Sequence, residues 1–395
     1  MEAFPPGEDA SPARSEAQRA GRYLRQPSGY RAFLPAPLPP NPALRFDSSL
    51  QRLLSEADIA LGRLDGSIAT LPDPDLFVFL YVRKEAVLSS QIEGTQSSLQ
   101  DLLEAEAQIP APASRPEDVT EVGNYVRALQ YGLQRLHELP VSVRLVREIH
   151  QRLMAGVRGS QLTLGELRRT QNWIGPAGCT LNEAVFVPPP PHEVLRILGE
   201  WESFLHRSTE FPHLIHIGLA HAQFETIHPF LDGNGRVGRL LITFLLTERG
   251  VLRQPVLYLS DFFKVHRLAY YEHLQAVRDR GDWEGWLAFF LRGVAEVSRE
   301  ASDTARRILE LRERHRFAIT EELGRASGNA HRLLEALYSR PIFTVNDAQD
   351  AVGVTYAAAN QIVRRLVELG LVTEMTGNAR NRRFIYEPYV RLFSE

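Results

Sequence analysis

Two strongly apolar helical stretches, residues 214–226 and 236–248, meet at the corner His228-Pro-Phe-Leu-Asp-Gly-Asn-Gly-Arg-Val-Gly-Arg239. The upstream helix must stop near His228, because a residue before proline avoids the helical region. Asp232, Gly233, Asn234 and Gly235 are turn formers, and the glycines permit positive φ and close approach of a ligand to the backbone. The next helix opens directly behind them, so its free N–H groups point into the turn. A glycine turn feeding a helix N-terminus is a ready anion site. Arg236 and Arg239 share one face of the first turn, where their charge opposes the macrodipole. Two arginines there imply that an anion normally occupies the corner.

The corner carries the parts for moving a phosphate-containing group. His228 stands at its entrance, with an ordinary pKa near 6.5 that suits proton acceptance at neutral pH. Asp232 is its one carboxylate, a hard ligand suited to Mg²⁺ beside phosphate oxygens. The bland alternative is a helix–loop–helix corner with a capping aspartate and surface arginines. Each residue fits that alternative singly; the ensemble does not.

The rest of the sequence narrows the options. Of 45 basic residues only Lys84 and Lys264 are lysines, and neither follows a glycine in a phosphate-loop motif. The kinase motif set is absent as well. A nucleotide would have to be held by arginine and backbone amides. The net charge of −3 excludes a general polycation, so DNA contact would need a local patch. Cys179 is the only cysteine, which excludes an internal disulfide and a cysteine-based zinc site; it reads as a free thiol in a loop. His213, His216 and His221 lack the HExxH spacing and read as satisfied or surface histidines. No membrane-length apolar run and no secretory signal core are seen, so a cytoplasmic location without membrane contact is expected.

The texture along 395 residues divides the chain into a Pro-rich arm (1–45), an N-terminal helical region (46–136), a central core (137–298), a connecting helical segment (299–331) and a C-terminal module (332–395). Helices are expected near 76–93, 119–136, 194–206 and from about 141, with a β-hairpin over 172–187 and a connecting helix over 300–311. The last module reads as three helices, then two strands around TGNARN, the order of a winged helix.

HPFLDGNGRVGR matches HxFx[DE]GNGRxxR at every specified position, and the chain resembles the Fic family over about residues 45 to 395. The resemblance implies a mainly α fold, with a Fic-type helical core, a small β-hairpin flap, an N-terminal helical extension and a C-terminal winged helix. It implies transfer of AMP from ATP to a Ser, Thr or Tyr hydroxyl of a target protein, with pyrophosphate leaving. His228 would be the general base and Asp232 would hold Mg²⁺. Gly233, Asn234 and Gly235 would cradle the phosphates, Arg236 would assist, and Arg239 would meet the γ-phosphate.

Leu88-Ser-Ser-Gln-Ile-Glu-Gly94 resembles the family's inhibitory motif [ST]xxxE[GN]. Ser89 and Glu93 share a helix face, and the resemblance implies that Glu93 pairs with Arg239 and blocks the γ-phosphate position. The flap, with Trp173, Ile174, Val185 and Phe186, would pair with an extended target segment. Tyr270, Tyr271 and Arg278 are candidates for the nucleotide's far side, and Glu225 for orienting His228. Arg364, Arg365, Arg380, Arg382 and Arg383 could meet DNA phosphates, or the module could bind protein. A homodimer is left open. The alternatives to a self-inhibited transferase are an enzyme that also removes AMP, and a nucleotide-sensing winged-helix transcription regulator.

Overall fold

The structure is a computed structural model that describes residues 18–69, 71, 74–109, 116–157, 163–176, 178–207, 211–377 and 381–393. Among these, helices dominate. Strands β1 (Gly21–Arg25) and β2 (Arg31–Pro35) precede α1 (Ser48–Ala69), α2 (Asp75–Ile92), α3 (Leu99–Glu106), α4 (Pro116–Arg135) and α5 (Val143–Leu153). Then follow α6 (Pro191–His206), α7 (His213–Ile227), α8 (Asn234–Glu248), α9 (Ser260–Val265), α10 (Arg267–Arg280) and α11 (Trp283–Leu323). The last part holds α12 (Ser327–Ser339), β3 (Ile342–Phe343), α13 (Val345–Val352), α14 (Tyr356–Glu368), β4 (Thr373–Glu374), β5 (Phe384–Ile385) and α15 (Glu387–Arg391). No helix among the described residues is long and apolar enough to cross a membrane.

α7 is the central rod. Every residue from Leu214 to Ile227 is buried, the outcome for a helix apolar on all faces. α8 packs antiparallel behind the corner, and α4, α5, α6 and α11 surround the pair. Trp201 Nε1 donates to Ala220 O (2.9 Å) and Trp286 Nε1 to Gly218 O (2.8 Å), so large indoles close around α7 without losing their hydrogen bonds.

Three segments differ from the sequence reading. Residues 18–45 are not a plain extended arm. β1 and β2 form an antiparallel hairpin with Tyr23 opposite Phe33, and Phe33 is buried. Pro27 sits in its turn, Pro35 ends β2, and the remaining described prolines follow it, so none falls inside a strand. The expected connecting helix over 300–311 is part of one helix, Trp283–Leu323, that runs through the proposed boundary at 298. The stretch 294–323 has no proline or glycine, and Ala301, Ala305, Ile308 and Leu311 keep one buried stripe against α1. The expected β-hairpin over 172–187 is reduced to a single antiparallel bridge, Ile174 with Phe186, around a 3-10 turn at Leu181–Glu183.

In the C-terminal module β3, absent from the sequence reading, joins β5 and β4 in a sheet of order β3-β5-β4. The module leans on α2. Phe393 packs against Phe77 and Tyr81, with ring centroids 6.2 and 6.3 Å apart. Replacing Leu64, fully buried on α1, by alanine should cost about 2–5 kcal/mol in urea unfolding. A loss below 0.5 kcal/mol would mean that α1 does not seal α11.

Candidate active site

The corner is built as a strained turn held from behind. His228 ends α7 in the left-handed region (φ 49°, ψ 62°), a rare conformation for a non-glycine residue. Pro229 ends α7 by disfavouring the right-handed region at His228, and contacts from elsewhere hold the left-handed one. Three residues outside the corner hold it. Arg168, almost fully buried, donates from Nε to His228 O (2.9 Å), while its backbone N–H reaches Pro229 O (3.0 Å). Asn172 Nδ2 donates to Phe230 O (2.8 Å) and His228 O (3.3 Å). His150 stacks on Phe230 at 3.8 Å between ring centroids. Its Nδ1 accepts from Gly165 N–H (3.0 Å), so its Nε2–H donates to Asp232 O (3.1 Å). Burial pushes the His150 pKa down to about 4, which keeps that tautomer neutral.

Asn234 closes the turn from within. Its Oδ1 accepts from Phe230 N–H (2.8 Å) and its Nδ2 donates to Phe230 O (2.9 Å). Its side chain therefore braces the loop rather than facing a ligand. Gly233 adopts φ +77°, with Met154 close on the side where a Cβ would point. The first residue of the turn to bond back is Val237, to Gly233 O (3.1 Å). The amides of Asn234, Gly235 and Arg236 stay outside the helix ladder, as an anion cradle requires.

The charged groups converge on this cradle. Burial, then Arg168 and Arg278, push the His228 pKa down to about 3, so its imidazole is neutral at neutral pH. Asp232 is half exposed at the mouth, with Oδ1 accepting from Gly233 N–H (2.6 Å) and lying 3.9 Å from Arg236 Nη2. Arg236 is buried and pairs with Glu121 at 3.4 Å.

Arg239 is buried and fully engaged. Nε donates to Ser89 Oγ (2.7 Å), and Nη2 donates to Ser89 O (2.9 Å) and Glu93 Oε1 (2.7 Å). Ser89 and Glu93 thus reach it together from the end of α2. Glu93 is the C-cap of α2, one residue past the helix, where a carboxylate opposes the dipole; Gly94 follows at φ +104°. Burial works against its charge, but Arg239 outweighs this, with Arg236 and His228 adding, and holds the Glu93 carboxyl below the usual range.

The remaining candidates separate. Tyr271 is partly exposed at the mouth and near enough to feel Glu93, whereas Tyr270 is core, its hydroxyl 2.9 Å from His221 Nε2. Arg278 is buried. It stacks 3.8 Å over Phe186 and donates to Thr226 Oγ1 (3.3 Å) and Glu225 O (3.4 Å), so it ties the flap to α7 and is not open to a nucleotide. Glu225 is buried against Gly238, and burial pushes its carboxyl up to about 7. His216 and His221 are hydrogen-bonded to backbone carbonyls of Phe204 and Gly238. In the C-terminal module, Arg364 and Arg365 pair with Glu368, and Arg382 bonds Asn360 near Glu374; Arg380 lies outside the described residues.

The Fic/DOC family N-terminal model matches residues 51–134, and the Fic/DOC family model matches residues 140–246. These two segments are the paired domains of the Fic/DOC family. The second match contains the whole corner, and the first contains Ser89 and Glu93. Proteins named protein adenylyltransferase Fic are similar to it: that of Aedes aegypti is 32% identical over 167 residues, covering 41% of this chain and 29% of that protein. That of Drosophila grimshawi is 29% identical over 170 residues, covering 42% and 31%. The Fic chain thus spans about three tenths of these relatives' length. Among solved structures, a Fic family protein from Desulfovibrio desulfuricans G20 shares the fold with a TM-score of 0.57 at 18% identity, covering 87% of this chain and 97% of that one. A Fic domain containing signaling protein from Bacteroides thetaiotaomicron gives 0.51 at 19%, covering 67% and 97%.

Two consequences follow from the geometry. Asn234→Ala leaves the Phe230 amide unpaired and its carbonyl with Asn172 alone, and should lower unfolding free energy by about 1–3 kcal/mol; an unchanged denaturation midpoint would refute the brace. The Glu93–Arg239 pair should also be visible in pH dependence. Because the folded carboxyl lies below its unfolded value, its contribution is complete above about pH 4.3 and lost as pH falls through the folded value. The stability gap between wild type and Glu93→Gln should therefore be constant from pH 6 to 8 and shrink below pH 4. A gap that widens in acid would contradict the pairing.

Proposed function

We propose that this chain is a protein AMP-transferase that carries its own brake. The observation that carries the reading is the sharing of one corner by a neutral histidine, an open run of helix N-terminal amides and an arginine locked by Ser89 and Glu93. The relatives bear the name of this activity, and the corner has the parts it needs.

The reaction runs as follows. His228 takes the proton of a target Ser, Thr or Tyr hydroxyl, and the oxygen attacks the α-phosphorus of ATP. The new P–O bond forms as the bond to the β-phosphate oxygen breaks, and pyrophosphate leaves opposite the attacking oxygen. The free amides of Asn234, Gly235 and Arg236 would face the phosphates beside Gly233, and Arg239 would meet the γ-phosphate. Mg²⁺ fits this site through its donor set: one half-exposed carboxylate, Asp232, beside a phosphate cradle, with phosphate oxygens and water completing the shell. When bound, it neutralises phosphate charge.

The brake is electrostatic and steric. Glu93 occupies the carboxylate-binding edge of Arg239, so a triphosphate in its reactive placement would bring like charge against it. A Glu at this place could also hold water for removal of AMP, but no observation favours that step over inhibition. Nor do the basic residues of the C-terminal module favour DNA, since Arg364, Arg365 and Arg382 already have partners.

The test is labelled ATP with Mg²⁺ and the purified chain. Glu93→Gly should raise self-labelling at least tenfold over wild type, and adding His228→Ala should abolish it. No label on any protein with Glu93→Gly would sink the transferase reading. Label that persists without His228 would sink its assignment as the base.

A further inference from the structure

Behind Arg239 a line of buried hydroxyls leads away from the corner. Arg239 Nε donates to Ser89 Oγ (2.7 Å). The Ser89 hydroxyl bonds to Tyr125 OH, on α4. Tyr125 OH donates in turn to Glu85 Oε1 (2.9 Å), one turn before Ser89 on α2. From α9, Ser260 Oγ–H reaches the same Oε1 (2.5 Å) and Ser260 N–H reaches Oε2 (3.3 Å). Glu85, Ser89, Tyr125 and Ser260 are all buried. Glu85 therefore ends the line as a buried acid held by hydroxyls and an amide, with no cation in contact among the described residues. Such a burial is costly, and it pushes the Glu85 carboxyl up to about 7.

A hydroxyl both donates and accepts, so a line of hydroxyls can run in either direction. Glu85 fixes the direction. Its Oε1 takes the protons of Tyr125 and Ser260, so a proton on Glu85 itself falls on Oε2 and Oε1 stays an acceptor. With its own proton committed to Glu85, the Tyr125 oxygen can only accept, and Ser89 donates to it. Ser89 Oγ then turns its lone pairs to Arg239 alone. Reversed, Ser89 Oγ would divide them between Tyr125 and Arg239 and hold the guanidinium less firmly. Ser89 O takes Arg239 Nη2 as well (2.9 Å), so the guanidinium plane is fixed at two points. Its free edge is thereby aimed at the place where Glu93 Oε1 now lies (2.7 Å).

We infer that Glu85 is a positioning residue: through Tyr125 it sets the direction of the hydroxyl line and so aims the Arg239 guanidinium at the γ-phosphate of ATP. This rests on the proposed function, because the γ-phosphate is what Arg239 would meet there. The effect is specific to that phosphate. ADP lacks it and should not sense the line, whereas a general loosening of α2 would weaken both nucleotides alike.

The experiment uses the full chain with Glu93→Gly, which clears the guanidinium edge. Calorimetry compares MgATP with MgADP, and self-labelling gives KM and kcat. Adding Tyr125→Phe cuts the line in the middle, and adding Glu85→Leu removes its acceptor. Each should lower the preference for ATP over ADP about fivefold and raise KM for ATP, with kcat within about twofold. The two together should do no more than either alone. Ser260→Ala removes a bond to Glu85 that lies off the line, so it should keep the ATP preference even where it lowers Tm. If Glu85→Leu does not fold, Tyr125→Phe decides. No ATP preference with Glu93→Gly alone, a preference unmoved by Tyr125→Phe, or one lost equally with Ser260→Ala overturns the positioning role. A preference that falls with Tyr125→Phe, without AMP transfer to any protein, upholds the line to Arg239 and overturns the transferase.

Discussion

A buried guanidinium cannot be left without partners, and in this chain that requirement organises the active corner. Arg239 lies almost fully shielded in the second turn of α8, where an unpaired cation would be costly. Ser89 and Glu93 supply the partners from α2, a helix distant in sequence, so the N-terminal region is anchored on the catalytic core by the same bonds that close the site. Glu93 sits at the rim, its side chain 35% exposed, where water screens part of the attraction. Such a pair is firm enough to persist and exposed enough to be exchanged. A polyphosphate would offer Arg239 an equivalent set of oxygens, so under the proposed function Glu93 and the nucleotide would compete for one cation.

The surroundings hold the corner from several sides. His228 is held in a rare backbone conformation by Arg168 and Asn172, and Phe230 is clamped by His150 and Asn234. Buried acids extend the network: Glu85 accepts from Tyr125 OH (2.9 Å) and Ser260 Oγ (2.5 Å), and burial pushes it up to about 7. Glu85, Ser89 and Glu93 recur every four residues along α2, so one helix face joins the brake to α4 and α9. The C-terminal module rests on the other end of α2 through Phe393.

Much of this was legible in the sequence because it was local. The helix stop before Pro229, the glycine turn and the paired arginines lie within one short segment, and their meaning depends on spacing alone. The Glu93–Arg239 contact spans the chain and could be anticipated only through the motif that Leu88–Gly94 resembles. The bracing residues were missed for the same reason. Arg168, Asn172 and His150 meet the corner across 56 to 82 positions, and a buried arginine bonded to carbonyls looks like any other arginine in sequence. The hairpin at residues 21–35 was hidden by prolines in its turn and at its end, and the length of α11 by a polar surface that looked like a connector.

The direct test of the exchange at Arg239 is a thermodynamic cycle of ATP binding, measured calorimetrically on wild type, Glu93→Gly, Arg239→Ala and the double variant. Removing Glu93 should tighten ATP binding when Arg239 is present and change nothing when it is absent, with AMP binding indifferent to both. An equal gain from removing Glu93 with or without Arg239 would contradict the account.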